Sequence, residues 1–369
     1  MKGDRVDTVS NVHHVEDYNY SVQVNQWILK PSVLYILFEQ ADTHTRMQAI
    51  GPMSHWMLGG VNYCCLSLKS KDILSCIEHL ETDWKMVKRP NDRQLMLKNA
   101  KVGRLIVSIA AVCMNVGVLS HTLIAGFKRA VFQVGNESYS MLRLPCPVYT
   151  QLMDVRFSPL NEIVFFLQCW AGLIVNLVTT GACGFAAVFA MHACGQLDIV
   201  MLHLEEMVEQ NEDQPSAQKK LGTMVDIHLR ALDFVSHIES VMHITCLIEL
   251  TECTLNMCML EYYMITENSK ETAAAYGIIY ISMTFNIFIF CYIAEKLTEQ
   301  CKMVGETAYM TEWYRLPYKT AAGLILVILR AGSVTRITAG KILPMSLSTF
   351  ADVVKTSFVY LNMLRTVAE

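Results

Sequence analysis

Charge is scarce in this sequence. Asp, Glu, Lys and Arg make up 17% of its 369 residues, against about 25% in soluble domains, so an ordinary water-facing fold is excluded. There is no basic tract and the net charge is −4, so no nucleic acid partner is expected. The 13 cysteines contain no Cys-x-x-Cys pair and mostly fall inside apolar runs, which reads them as small buried hydrophobes rather than a disulfide or zinc framework. His228, His237 and His243 are spread along one long helical stretch, whereas a zinc site needs a tight cluster with supporting partners, so no metal is expected. No phosphate-cradling Gly loop and no nucleophile–base set stands out, and neither enzymatic activity nor a cofactor is expected. No internal repeat is visible, which argues against a secondary transporter. The first 24 residues lack an apolar core, so no cleavable leader is expected there.

Apolar length is what the chain has instead. Hydrophobic residues reach 53% and the mean hydropathy is +0.30, the composition of a polytopic membrane protein. A helical span needs about 20 mostly apolar residues. Spans are expected at 49–68, 105–127, 163–191, 243–265 and 273–294, and in a last helix at 345–366; the third is the strongest. The 317–332 stretch is too short to span and is flanked by Arg315, Lys319, Arg330 and Arg336. Residues 27–41 hold only a 12-residue apolar piece, WILKPSVLYILF, with Lys30-Pro31 at its centre, a remnant rather than a span.

Loop charge sets orientation. The 69–104 connection holds nine Lys and Arg, 128–160 holds four and 266–272 holds one, while 192–240 and 295–316 hold three each. The 1–26 segment, 69–104, 192–240 and 295–316 are therefore expected in the cytosol and the C-terminus outside. This inverts the arrangement of a G-protein-coupled receptor, and neither an Asp-Arg-Tyr-like triplet nor Asn-Pro-x-x-Tyr occurs where such a receptor carries them. Asn136-Glu137-Ser138 is a sequon in the expected outer loop, so Asn136 is the glycosylation candidate. In QLDIVMLHLEEMVEQ (196–210), Leu197, Val200, Met201, Leu204 and Met207 recur at helical spacing, with Glu205, Glu206 and Glu209 elsewhere. Residues 220–245, 71–90 and 296–316 read in the same way. The 192–242 and 295–336 regions are thus expected to carry helices below the bilayer whose apolar faces pack within the chain or on another subunit. Glu249, Glu252 and Glu261 lie in or near the 243–265 span; Glu249 and Glu252 are read as sitting at its inner interface.

Four stretches carry a resemblance: CIEHLETDW (76–84), MLKNAKVGR (96–104), IFIFCYIAEKLTEQCKMVGETAYMTEWYRLP (287–317) and ITAGKILPMSLSTFADVVKTSFVYL (337–361). Together they resemble the insect odorant receptor family, over nearly the whole chain. The C-terminal signature is Thr338-Ala339-Gly340 with Pro344, Leu347, Phe350 and Lys355. The resemblance implies an all-α, seven-helix channel fold with its N-terminus inside. It also implies a tuning subunit that binds a small volatile ligand and forms a heterotetrameric, non-selective cation channel with an obligate co-receptor. Such a channel sits among membrane lipid in the plasma membrane of olfactory sensory neurons. The last helices would line the pore, with Met363 and Val367 matching the hydrophobic gate, which closes by dewetting.

A volatile needs a small apolar cavity with a few polar groups. The outer halves of the spans offer Met53, His55, Trp56 and Gly60; Met114, Val118, His121 and Thr122; Phe166 and Trp170; and Tyr276, Tyr280 and Met283. Tyr276 and Tyr280 are one helical turn apart and are expected to share a face. The chain departs from the family at its first span, where NQWILK runs straight into PSVLYILFEQAD and roughly 30–40 residues of the family pattern have no counterpart. An assembly-impaired isoform and a taste-type receptor of the same superfamily are the alternatives.

Overall fold

The computed structural model describes residues 30–38, 43–127, 129–134, 137–149, 151–209, 214–267, 269–333 and 336–368. Residues 30–38 form a helix, α1. It is followed by α2 (Thr43–Leu68), α3 (Ser70–Met86), α4 (Pro90–Phe127), a hairpin of β1 (Arg129–Val134) and β2 (Glu137–Leu142), α5 (Leu160–Glu209), α6 (Gln214–Thr266), α7 (Lys270–Met310), a 3-10 turn (Trp313–Arg315), α8 (Tyr318–Gly332), two short strands β3 (Thr338–Ala339) and β4 (Leu343–Pro344), and α9 (Leu347–Ala368). The sequon at Asn136 and the 1–26 segment lie outside the described residues.

Among the described residues four helices are long and apolar enough to cross a membrane: Pro90–Ser120, Leu160–Val208, Pro215–Thr266 and Lys270–Met310. Helices α2 and α9 have the length, at 26 and 22 residues, without that apolarity. The 50 residues of α5 run about 75 Å, more than twice the roughly 30 Å of hydrocarbon. The amphipathic 196–210 stretch therefore continues the third span without a break, and the 220–245 stretch does the same at the start of α6. The 295–336 region is not one helix. Leu316, the residue before Pro317, is extended (ψ 152°), as the proline ring requires of its predecessor, and α8 then packs back along α7. Pro90 opens α4 with Asp92 in its first turn, where a missing N–H is harmless and a carboxylate suits the helix dipole.

The main core gathers at the α3 end of the bundle, where Leu197, Val200 and Leu204 of α5 meet Phe234 and Ile238 of α6 and Leu297 and Val304 of α7. Ala186, Ala187, Ala190, Ala193 and Cys194 line the same side of α5 and let helices approach closely. All thirteen cysteines are free and most are buried, consistent with their reading as small hydrophobes. One buried ionic knot ties this end together. Asp83 of α3 is 2% exposed; its carboxyl accepts from His192 Nε2 of α5 at 2.9 Å and from Arg230 Nε of α6 at 2.5 Å, with His79 at 3.5 Å. Burial pushes the Asp83 carboxyl up, but the hydrogen bonds from His192 and Arg230 outweigh it and hold it below its ordinary value.

The Thr-Ala-Gly motif has a physical reason. The Gly340 N–H donates to the His243 carbonyl of α6 at 2.7 Å, and the Thr338 N–H and hydroxyl both bond the Glu239 carboxyl. Gly340 has φ +62°, and a Cβ there would lie 2.8 Å from Leu247 Cδ2. Only glycine accepts both that conformation and that approach. The turn delivers α9 to its place, and the helix is then capped twice: Ser346 Oγ accepts from the Thr349 N–H at 3.2 Å, and the Glu295 carboxyl of α7 accepts from the Leu347 N–H at 2.7 Å.

Candidate ligand cavity

Toward the hairpin end, α2, α4, α5, α6 and α7 separate around a cavity of about 150 Å³. A cavity of that size admits a single six-membered ring. Its wall is mostly apolar, with Trp56 and Pro52 from α2, Met114 and Val118 from α4, Met259 and Leu260 from α6, and Tyr276, Ile279 and Met283 from α7. Pro145 of the loop after the hairpin closes one side. That loop is held by Gln168 of α5, whose amide donates to the Cys146 carbonyl at 2.9 Å and accepts from its N–H at 3.1 Å.

The frame around the cavity is fixed by close approaches and by polar links. A Cβ on Gly59 of α2 would lie 2.2 Å from Val175 Cγ1 of α5, so these helices touch where a side chain has no room. The Tyr263 hydroxyl donates to the Met47 carbonyl at 2.7 Å and accepts from the Gly51 N–H at 3.1 Å, pinning α2 to α6. Asn176 of α5 donates to Asn115 of α4 at 3.2 Å, and the Ser282 hydroxyl of α7 donates to the Cys113 carbonyl at 3.1 Å.

The structure brings Trp56, Met114, Val118 and Tyr276 to this one cavity, with His55, Met53's neighbour Pro52, Thr122 and Met283 beside them. Phe166 and Trp170 go elsewhere: they are 68% and 64% exposed on the outer side of α5. Tyr280 packs with Tyr276 against the Leu260, Tyr262, Tyr263 and Leu361 cluster next to α9, but it is not among the cavity-lining residues. His121 lies on α4 and Val367 on α9, and their side chains fall outside the described residues. Met363 is 64% exposed on α9.

Six polar positions at the cavity were not expected from the sequence: Gln168, Asn176, Thr179, Asn256, Ser282 and Asn286. Glu249 and Glu252, expected at the inner membrane interface, instead line the cavity at 1% and 2% exposure. The available signal was their presence within an apolar span; what it lacked was depth.

The model of the 7tm odorant receptor family matches residues 42–358. The chain belongs to the 7tm odorant receptor family. It is 25% identical over 230 residues to Odorant receptor 10 of Aedes albopictus, covering 61% of this chain and 60% of that receptor. The chain spans about 60% of the length of the curated relatives it matches. Its fold matches the olfactory receptor OR5 from Machilis hrabei, with a TM-score of 0.77 at 16% identity over 94% of this chain and 88% of that one. The same receptor in complex with eugenol matches with a TM-score of 0.78 at 14% identity over the same shares of each chain. As a member of this family with four apolar helices of spanning length among the described residues, the chain is a multi-pass membrane protein.

Proposed function

We propose that this odorant receptor is the ligand-binding tuning subunit of a volatile-gated, non-selective cation channel, assembled with an obligate co-receptor in the plasma membrane of olfactory sensory neurons. The observation that carries the reading is the apolar cavity of about 150 Å³, enclosed by five helices and lined by aromatics. Its size and lining suit a small volatile.

A route from that cavity to α9 supports the channel part. Tyr263 lines the cavity and belongs to the cluster that also holds Tyr280 and Leu361. Glu261, two residues before Tyr263, accepts from Ser357 Oγ of α9 at 2.9 Å. A ligand that shifts α6 or α7 at the cavity thereby pulls on α9. Helix α9 leaves Phe358, Val359, Tyr360 and Met363 exposed, an apolar strip that suits a pore ring and packing on neighbouring subunits. Met310, Tyr318, Leu326 and Leu329 form a second exposed apolar surface around the end of α7 and α8, which fits a cytosolic anchor between subunits. In this reading the α3 end lies in the cytosol, Met363 and Val367 form the gate, and the hairpin loop with Asn136 faces outside.

The short apolar piece at 27–38 favours a second reading, in which a truncated first span impairs assembly. Co-expression with the co-receptor and whole-cell recording under a panel of volatiles tests both. The proposed function predicts a ligand-evoked cation current. Silence, alongside current from a version carrying a complete first span, would establish the impaired isoform; silence from both while each reaches the surface would contradict the tuning-subunit role.

A further inference from the structure

Most polar groups at the cavity are either engaged by the protein or sealed away from it. Both oxygens of Glu249 accept from amides, Oε1 from Asn62 Nδ2 at 2.7 Å and Oε2 from Asn286 Nδ2 at 2.9 Å. Gln168 bonds the Cys146 backbone, Ser282 the Cys113 carbonyl, and Asn256 both Ser54 and the Glu252 carbonyl. Thr179 Oγ1, Glu252 Oε2 and Asn286 Oδ1 are fully buried.

Trp56 is different. It lines the cavity, and its indole N–H has no hydrogen-bond partner among the described residues. Gly172 of α5, also in the cavity wall, lies beside it. A Cβ on Gly172 would sit 3.6 Å from Trp56 Nε1 and, outside its own stretch of α5, would meet nothing else within 4 Å. The glycine thus leaves an open notch with the N–H on one side. The ring itself is held in place, packed with Val175 of α5 and Cys146 of the loop and only 4% exposed.

An indole N–H donates and cannot accept, and a buried donor without a partner is costly until an acceptor arrives. We propose that Trp56 is the residue by which this cavity recognises an acceptor oxygen on a small apolar ligand, such as the carbonyl of a ketone, aldehyde or ester, seated in the notch over Gly172. This rests on the reading of the cavity as the ligand site. The apolar wall takes the carbon skeleton, and the indole N–H fixes which way round it lies. Asn176, one turn beyond Gly172, donates to Asn115 Oδ1 at 3.2 Å, and its own carbonyl oxygen suits the O–H of an alcohol. A ketone, which has no O–H, separates the contribution of Trp56 from that of Asn176.

The test pairs cyclohexanone with methylenecyclohexane, which carry an oxygen and a CH2 at the same place on one ring. Affinity is read from the ligand concentration that half-saturates the rise in unfolding temperature of the purified full chain. The quantity compared between variants is the ratio of ketone to hydrocarbon affinity, so that the hydration of each ligand cancels. Trp56→Phe keeps a ring and removes the N–H, and should lower that ratio at least about threefold, the effect of one hydrogen bond between neutral groups. The infrared carbonyl stretch of bound cyclohexanone should rise in the same variant, since the oxygen no longer accepts. Gly172→Ala fills the notch with a methyl that makes only an ordinary contact; it should lower the ratio too while the unfolding temperature of the empty chain holds or rises. Should Trp56→Phe fail to fold, Gly172→Ala decides. A residue that merely shapes the wall would weaken both ligands alike and leave the stretch where it was.

A ratio unchanged in either folded variant overturns the proposal, and a carbonyl stretch that stays low in Trp56→Phe assigns the oxygen to another donor such as His55. Val118→Phe separates this from the cavity reading. If it weakens both ligands while the ratio ignores Trp56 and Gly172, only the Trp56 proposal falls. If it leaves both affinities unchanged, or if neither ligand binds the unsubstituted chain, the cavity reading falls and the proposal with it.

Discussion

At the α3 end of the bundle, α5, α6 and α7 close on Leu197, Leu204, Phe234, Ile238 and Leu297, all fully buried. Toward the hairpin end, the same three helices separate around a cavity of about 150 Å³, with Glu249 and Glu252 among its lining residues. The first region pairs its buried Asp83 carboxylate with His192 and Arg230, with His79 at 3.5 Å. The second holds buried polar atoms without a partner at Thr179, Glu252 and Asn286. A single set of continuous helices thus carries a closely packed end and an end that holds a cavity. Tight packing at one end gives the helices a fixed base from which a small displacement at the other can be transmitted to α9.

The comparison breaks most severely at Asp83. Replacing it by alanine leaves the buried His192 and the half-buried Arg230 without their shared anion, which costs about 2–3 kcal/mol once water screening of Arg230 is allowed for. The expected outcome is loss of folded receptor from the cell surface, measured by surface biotinylation, with ligand selectivity unchanged in whatever fraction arrives. Gly340→Ala comes next. It forces a side chain into a left-handed conformation against Leu247, at a cost of about 1–3 kcal/mol, seen as a lower unfolding temperature in detergent.

At the open end the effects should fall on ligand and spare stability. Val118→Phe fills cavity space without removing packing; it should weaken the response to the ligand at least about tenfold, roughly 1.4 kcal/mol, while the unfolding temperature holds or rises. A fall in unfolding temperature with an unchanged dose–response curve would place the ligand elsewhere. The smallest effect concerns pH. Burial holds the His79 imidazole below its ordinary value of 6.5, so the folded state resists its protonation. That contribution to stability is complete above about pH 6.5 and is lost as pH falls through the folded value. The Asp83 carboxyl is also held low, so its contribution persists until pH falls below about 4. Taking the receptor from pH 7.5 to pH 5.5 should lower its unfolding temperature by about 1–2 °C, and His79→Phe should reduce that dependence.

Much of the architecture could be read from periodicity and charge. Leu197, Val200, Leu204 and Met207 recur at helical spacing and do form the buried face of α5. Arrangement in space was less legible. Phe166 and Trp170 are as aromatic and as regularly spaced as Tyr276 and Tyr280, yet they lie on the exposed side of α5; one helix's periodicity fixes which residues share a face, not which neighbour that face meets. Tyr276 and Tyr280 were expected to share a face, and both pack against the cluster that holds Leu361, but only Tyr276 also lines the cavity. The carboxyls of Glu249 and Glu252 could be picked out as unusual in an apolar span, but their depth depends on where α6 begins. That helix runs 53 residues from Gln214, and its length carries both groups up to the cavity. The Gly340 turn was visible as a motif, and its reason lay in Glu239, His243 and Leu247 on a helix a hundred residues earlier.

The most direct test of the central claim, that a ligand cavity at one end of the helices works an apolar pore helix, is one recording series on two substitutions co-expressed with the co-receptor. Val118→Phe should move the dose–response curve to higher ligand concentration. Met363→Ser should weaken the hydrophobic ring and raise the ligand-independent leak current. Both outcomes together are the prediction. A Met363→Ser channel whose leak equals that of the unsubstituted receptor, or a Val118→Phe channel with an unmoved dose–response curve, would contradict it.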